Sequence, residues 1–303
     1  TQRHGLQSDN VLAMDVVTGT GHEVACSAQN NVELFDMVRA GLGQVAVIAR
    51  ATLKLLPAPR LVRRHLLFYP DLASLLHDQR LLAADARFDA VTGAVLAAPG
   101  RWSFRLDAAR PLAASGAPDD TVLAGLSDDR SRRQATTLSY FDYLDRLSAL
   151  EAKLRGNGQW LLPHPWLMTF VGDARIEAVA GEVLARLTPA DLGPFGQVSL
   201  SAFPRRSVTS PLARLPADDL CYAFNLVRMP ATADSGTISR LIEDNRDLYQ
   251  RIREAGGTLY PVSALPMTRD DWRRHFGPAF ARLSAAKRRF DPANLLTPGY
   301  PIF

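Results

Sequence analysis

Cysteine is scarce in this chain: Cys26 and Cys221 are the only two among 303 residues, and they lie far apart. Neither a disulfide framework nor zinc-ligand spacing is present, so no metal is expected and both read as small core residues. Long apolar runs are missing too. Nothing approaches the roughly 20 residues of a membrane-spanning helix, so a soluble protein with no membrane partner is expected; its compartment is left open by the sequence, with the cytoplasm favoured over secretion. A strong excess of one charge is also lacking, since 35 basic residues face 31 acidic ones for a net charge of +4. The basic residues are spread in short clusters such as Arg63-Arg64, Arg205-Arg206 and Arg288-Arg289, which read as solvated surface rather than a nucleic-acid footprint. Several catalytic signatures are absent: no Gly-x-Ser-x-Gly elbow, no phosphate-binding Walker loop, no His-Glu-x-x-His helix and no Cys-x-x-Cys. The adjacent pairs Asp119-Asp120 and Asp270-Asp271 point apart on most backbones and do not read as acid/base dyads.

What is present is an ordinary globular composition, 47% hydrophobic and 22% charged, long enough for two folding units. Val11 to Val17 and Glu23 to Ser27 flank the turn Thr18-Gly19-Thr20-Gly21 and predict a hairpin. A helix over Asn31 to Arg39, the turn Gly41-Leu42-Gly43-Gln44 and a β-branched run from Val45 to Ile48 follow. Pro57-Ala58-Pro59 then breaks the pattern and marks a boundary. Beyond it, strands are expected at Leu61 to Tyr69, Trp166 to Val171, Val198 to Phe203 and Cys221 to Arg228, with a hairpin over Val91 to Leu106. Helices are expected over Asp71 to Arg87, capped by Asp71, over Ser139 to Arg155 and over Ser235 to Glu254. On the Ser139 to Arg155 helix, Tyr140, Tyr143, Leu144, Leu147 and Leu150 would share one face. Strands separated by helices without βαβ regularity give an α+β fold, an antiparallel sheet covered by helices. Helices from Thr268 to His275 and on to Arg289 precede an irregular tail, Phe290 to Phe303.

Six stretches together carry a resemblance. They are His4-Gly5-Leu6-Gln7-Ser8-Asp9-Asn10-Val11-Leu12, Met14-Asp15-Val16-Val17-Thr18-Gly19, Gly41-Leu42-Gly43-Gln44, Pro163-His164-Pro165-Trp166-Leu167, Asp271-Trp272-Arg273-Arg274-His275-Phe276-Gly277, and Phe290-Asp291-Pro292 with Leu295-Leu296-Thr297-Pro298-Gly299. In this order and spacing the chain resembles the cytokinin dehydrogenases, flavoenzymes of the vanillyl-alcohol-oxidase type. The resemblance implies a partial FAD-binding domain over residues 1–57, a substrate cap over 58–262 and a chain return over 263–303 that completes the flavin domain. FAD is the implied cofactor. The flavin-attaching histidine, the pyrophosphate loop and the catalytic aspartate are expected upstream of Thr1, with the chain a truncated C-terminal portion.

The resemblance also assigns residues. Gly43, Val47, Ile48, Thr297 and Tyr300 are the implied FAD contacts, Gly43 because bare backbone can approach a flavin closely. Thr92, Trp160 and Val262 are the implied substrate residues. Trp160 reads equally as a core aromatic at a strand start. Thr92 stands where the family has a glutamate bonding the adenine, and Val262 where it has a tyrosine near the flavin, with Tyr260 two positions earlier. His164 reads as a structural residue of its turn, and His275 as a helix C-terminal residue favoured by the dipole. The implied reaction oxidises a C–H bond next to an amine, on an N6-isoprenoid adenine or another aromatic amine. An FAD-linked oxidase of an alcohol or sugar is the first alternative, and a non-catalytic remnant that binds an aromatic ligand is the second.

Overall fold

The computed structural model describes residues 2–112 and 120–303. Strand β1 (Val11–Thr18) turns back into β2 (Glu23–Ser27), helix α1 (Val32–Val38) crosses over, and β3 (Ala46–Leu53) returns antiparallel to β1 on its other edge. The expected hairpin, helix and strand are all found. Among the described residues, only one face of this three-stranded sheet is covered. Met14, Val16, Phe35 and Met37 are buried beneath it, whereas β3 is exposed along nearly its whole length and has no strand on its outer edge among the described residues.

The chain then builds an eight-stranded antiparallel sheet. It comprises β4 (Leu61–Tyr69), helix α2 (Leu72–Asp85), β5 (Ala90–Ala98), β6 (Arg101–Leu112), β7 (Gln134–Ser139), helices α3 (Tyr140–Leu144) and α4 (Ser148–Gly156), and β8 (Leu167–Gly172). Helices α5 (Asp173–Arg186) and α6 (Pro189–Leu192), strands β9 (Gln197–Pro204) and β10 (Leu220–Val227), helix α7 (Ser235–Glu254) and the short β11 (Thr258–Leu259) complete it. The strand order is β11-β8-β10-β9-β5-β6-β4-β7. The α+β reading is therefore right, as is the Asp71 cap, whose carboxylate accepts the Ser74 amide at 2.8 Å. Helices α2, α5 and α7 cover one face, where Leu75, Ile176 and Ile252 pack on Val95, Leu106 and Phe224. Alternation puts Thr92, Arg105, Asp107 and Ser199 on the other face.

The segment after β7 corrects the sequence reading. One helix was expected over Ser139 to Arg155, but the turn at Asp145–Leu147 divides it into α3 and α4. Of the expected stripe, Leu144, Leu147 and Leu150 are exposed, whereas Tyr140 and Tyr143 are partly buried.

The last elements are α8 (Arg269–Phe276) and α9 (Ala279–Phe290), followed by the irregular tail. Thr268 caps α8 in a reciprocal box with Asp271, which explains that aspartate as structural. Trp272, Phe276, Leu283 and Ile302 join Met14, Val16 and Phe35 in a second core, separate from the one under α2, α5 and α7. The chain thus returns to close the small sheet it began with.

Candidate functional site

The tail is fastened to the small sheet by a buried clasp. Lys287 and Asp291, 4% and 1% exposed, pair at 2.6 Å. The Lys287 ammonium also donates to the Gln44 carbonyl at 2.9 Å and the Leu296 carbonyl at 3.2 Å. Asp291 in turn accepts the amides of Leu295 and Leu296, both at 2.9 Å. Burial pushes the Asp291 carboxyl up, but the bonds from Lys287, Leu295 and Leu296 outweigh it and hold it below the ordinary carboxylate value. Gly19 lets β1 approach, since a Cβ there would sit 2.2 Å from an Asp291 oxygen.

This clasp brings Gly43 and Thr297 together. The Thr297 hydroxyl donates to the Gly43 carbonyl at 2.7 Å, and a Cβ on Gly43 would lie 2.9 Å from that hydroxyl. The local backbone is strained. Ala40, Leu42 and Gly43 have φ of 59°, 56° and 70°, and across the contact Asn294 and Thr297 both have φ of 51°. Non-glycine residues at positive φ are uncommon and persist only where surrounding structure holds them. The Gln44 side-chain Nε2 is buried here without a partner among the described residues. Bare backbone, an orphaned donor and the aliphatic side chains of Val47 and Ile48, 56% and 51% exposed on the edge strand β3, suit a large planar cofactor with polar edges.

A cavity of about 480 Å³ opens at the seam between the two sheets, lined by Gln7, Leu42, Phe170, Tyr260, Val262 and His275, among others. Val262 and Tyr260 therefore face the same space. Tyr300 lies beside it, its hydroxyl donating to the Pro261 carbonyl at 3.3 Å and its ring packed edge-on against Trp272. Asp9 ties the seam from the other side, accepting from the amides of Thr209 at 3.0 Å and Ser210 at 2.6 Å. Burial pushes its carboxyl up, and donors from Ser210, Leu6 and Thr209 bring it below its usual value.

Two residues, His275 and Trp160, differ from their sequence reading. His275 does end a helix, but burial foremost, and Arg214 beside it, lower its pKa to about 4. A neutral imidazole gains little from the dipole, so its place is as a cavity wall. Trp160 lies on a single 3-10 turn, 38% exposed beneath the Arg155 guanidinium, and β8 starts only at Leu167; it is not a core aromatic at a strand start. His164 stacks on Trp166, and the Trp166 N–H donates to the His164 carbonyl at 2.7 Å, contacts in keeping with a structural residue of that turn.

Thr92 is exposed on the uncovered face of the large sheet, opposite Asp107. Asp107 accepts a forked bond from Arg64, at 3.0 and 3.1 Å from Nε and 2.7 Å from the terminal nitrogen. Tyr143 of α3 lies within electrostatic reach of both. Sequence reasoning passed over this cluster and the Lys287–Asp291 clasp. The clasp had a signal, a lysine four residues before an aspartate on the stripe that also carries Leu283. The sheet cluster had none, because its members come from separate strands.

Residues 118–303 match the family model described as cytokinin dehydrogenase 1, FAD and cytokinin binding. An uncharacterized oxidoreductase of the fasciation locus of Rhodococcoides fascians is 38% identical over 98% of this chain and 67% of its own length. Cytokinin dehydrogenase 10 of Oryza sativa subsp. japonica is 33% identical over 99% of this chain and 62% of its own. Among solved structures, 6-hydroxy-D-nicotine oxidase from Arthrobacter nicotinovorans superposes with a TM-score of 0.62 at 23% identity, over 95% of this chain and 64% of that one. A VAO-type flavoprotein from Myceliophthora thermophila gives 0.64 at 17%, over 95% and 56%. The chain thus spans about three fifths to two thirds of the relatives it matches in sequence. The chain belongs to the FAD-dependent cytokinin dehydrogenase family of oxidoreductases, on the fold of the vanillyl-alcohol-oxidase type.

Proposed function

We propose that the protein oxidises the C–H bond next to an amine nitrogen, with N6-isoprenoid adenines as its substrate class. In this reading residues 1–57 and 263–303 belong to the flavin-binding unit and 58–262 form the substrate cap. FAD, when bound, supplies the hydride acceptor. Gly43, Val47, Ile48, Thr297 and Tyr300 hold one side of it; Val262, Thr92 and Trp160 belong to the substrate side. The observation that carries this reading is the strained turn at residues 40–43, held by Thr297 and the buried clasp beside the cavity at the seam. Strain kept in place by an ion pair and a hydrogen bond is a mark of a site preorganised for a ligand.

The chain's own groups set the polarity of the site. His275 stays neutral at physiological pH and walls the cavity without adding charge. Phe170 and Tyr260, with ring centroids 5.6 Å apart, offer aromatic surface to a planar ring. Thr92 offers a hydroxyl rather than a carboxylate, which weakens selection for a ligand N–H. That favours, as a second reading, an alcohol in place of the amine.

The test is anaerobic mixing of the FAD-loaded gene product with N6-isopentenyladenine, its N6-methylated analogue, and a panel of alcohols and sugars. Bleaching of the oxidised flavin by isopentenyladenine is expected, with adenine and the side-chain aldehyde appearing as water hydrolyses the imine product. Bleaching by alcohols or sugars alone would establish the second reading, and bleaching by none would overturn both.

A further inference from the structure

The uncovered face of the large sheet holds a cation that the sequence reading did not use. Arg105 lies on β6 directly opposite Ala94, one diagonal step from Thr92 and two residues from Asp107, so all four share a face. Its side chain is half-buried, and its Nε is buried with no partner among the described residues. The nearest carboxylate is already used, because Asp107 is occupied in a forked bond by Arg64. The charges that act on Arg105 are Asp107 and Arg64, one of each sign, and they offset one another. Burial is the largest influence on it and works against its charge.

Arg105 is thus a surplus positive charge with a planar fork of donors, partly withdrawn from water. Charged groups in such places are paired, or they wait for a partner. Its direct partners on the two flanking strands carry no acid: Ala94 on β5 and Phe68 on β4, whose ring lies beneath a second guanidinium, that of Arg132. A guanidinium matches a carboxylate or phosphate in a way that no neutral amide can.

We infer that Arg105 is a specificity-determining residue of the cap, taking an oxyanion, carboxylate or phosphate, carried by the substrate. This rests on the reading that Thr92 faces the substrate. It changes that reading's consequence: where a carboxylate would select a ligand N–H, this surface selects a negatively charged substituent. The neutral base then becomes a poorer ligand than its acidic derivatives.

The experiment measures equilibrium binding to the oxidised, FAD-loaded gene product by calorimetry and by perturbation of the flavin spectrum. The probes are N6-isopentenyladenine, the 5′-monophosphate of its riboside, and a carboxymethyl derivative of the base; the last two distinguish phosphate from carboxylate. At least one anionic probe should bind more tightly than the neutral base. Arg105→Gln should weaken that probe roughly tenfold or more, as loss of a charge-assisted bond does, and leave the neutral base within about twofold. Arg105→Lys should recover part of the loss. In turnover, the KM for the anion should rise more than kcat falls. Equal weakening of neutral and anionic probes, or no preference for either anion, overturns the inference. If no probe reduces the flavin yet Arg105→Gln still abolishes the anion preference, the proposed chemistry fails and the anion site stands. Unchanged denaturation midpoints for both variants exclude unfolding as the cause.

Discussion

Removing Lys287 tests the clasp that shapes the Gly43 turn. Lys287→Met keeps most of the side-chain volume but leaves the Asp291 carboxylate buried without its cation. Breaking one side of a buried ion pair costs about 3–5 kcal/mol, far above the 0–1 kcal/mol of an exposed pair. Here the loss also strips a donor from the carbonyls of Gln44 and Leu296. Part is recovered because Asp291 keeps the two amides of Leu295 and Leu296, so the low end, about 3 kcal/mol, is expected. The double variant Lys287→Met/Asp291→Asn should lose less than the sum of the two singles, because no lone charge remains. The assay is urea denaturation followed by fluorescence of Trp272, which is buried in the same core, with hydrogen exchange at residues 41–44 and 291–297 to localise the opening. A loss below about 1 kcal/mol, or strict additivity of the two singles, would refute the reasoning.

Three further outcomes follow from the geometry. His275 has a folded pKa of about 4 against an ordinary 6.5, so its contribution is complete above pH 6.5 and is lost as pH falls towards 4, where the unfolded chain binds the proton first. The gap corresponds to about 3 kcal/mol, and His275→Phe should flatten that part of the stability-against-pH curve; an unchanged curve would contradict the burial. Asp9→Asn should destabilise by about 2 kcal/mol, since one oxygen serves the amides of Thr209 and Ser210, and proteolysis should then cut first near residues 207–212. Leu144→Glu and Leu147→Glu should leave the denaturation midpoint unchanged within about 0.5 kcal/mol, because both side chains are exposed in this structure.

Periodicity and punctuation revealed most of the elements. The hairpin at Val11, the cap at Asp71 and the helix ending before Gly256 were legible because local residues determine them. Helix α5 was not, since Gly181 interrupts its pattern. The helix over Ser139 to Arg155 failed for a different reason: periodic apolar residues imply a buried face only if a neighbour covers it, and nothing described here covers Leu144 or Leu147. At the site, the glycine turn and the terminal threonine were legible through the resemblance, while their direct bond needed coordinates. Arg105 shows the limit most clearly. Its lack of a partner depends on Arg64 having claimed Asp107, a competition between strands that no linear reading can score.

The central claim is that the turn at Gly43, closed by Thr297, forms one wall of the FAD site. The direct measurement is the FAD dissociation constant of the gene product beside those of Thr297→Val and Gly43→Ala, on variants shown to be folded. Thr297→Val removes the bond to the Gly43 carbonyl, and Gly43→Ala places a Cβ 2.9 Å from the threonine hydroxyl at a φ of 70°. Both should weaken FAD binding by about tenfold, the effect of one lost hydrogen bond or a comparable strain. Dissociation constants equal to that of the unaltered protein for both variants would contradict the account.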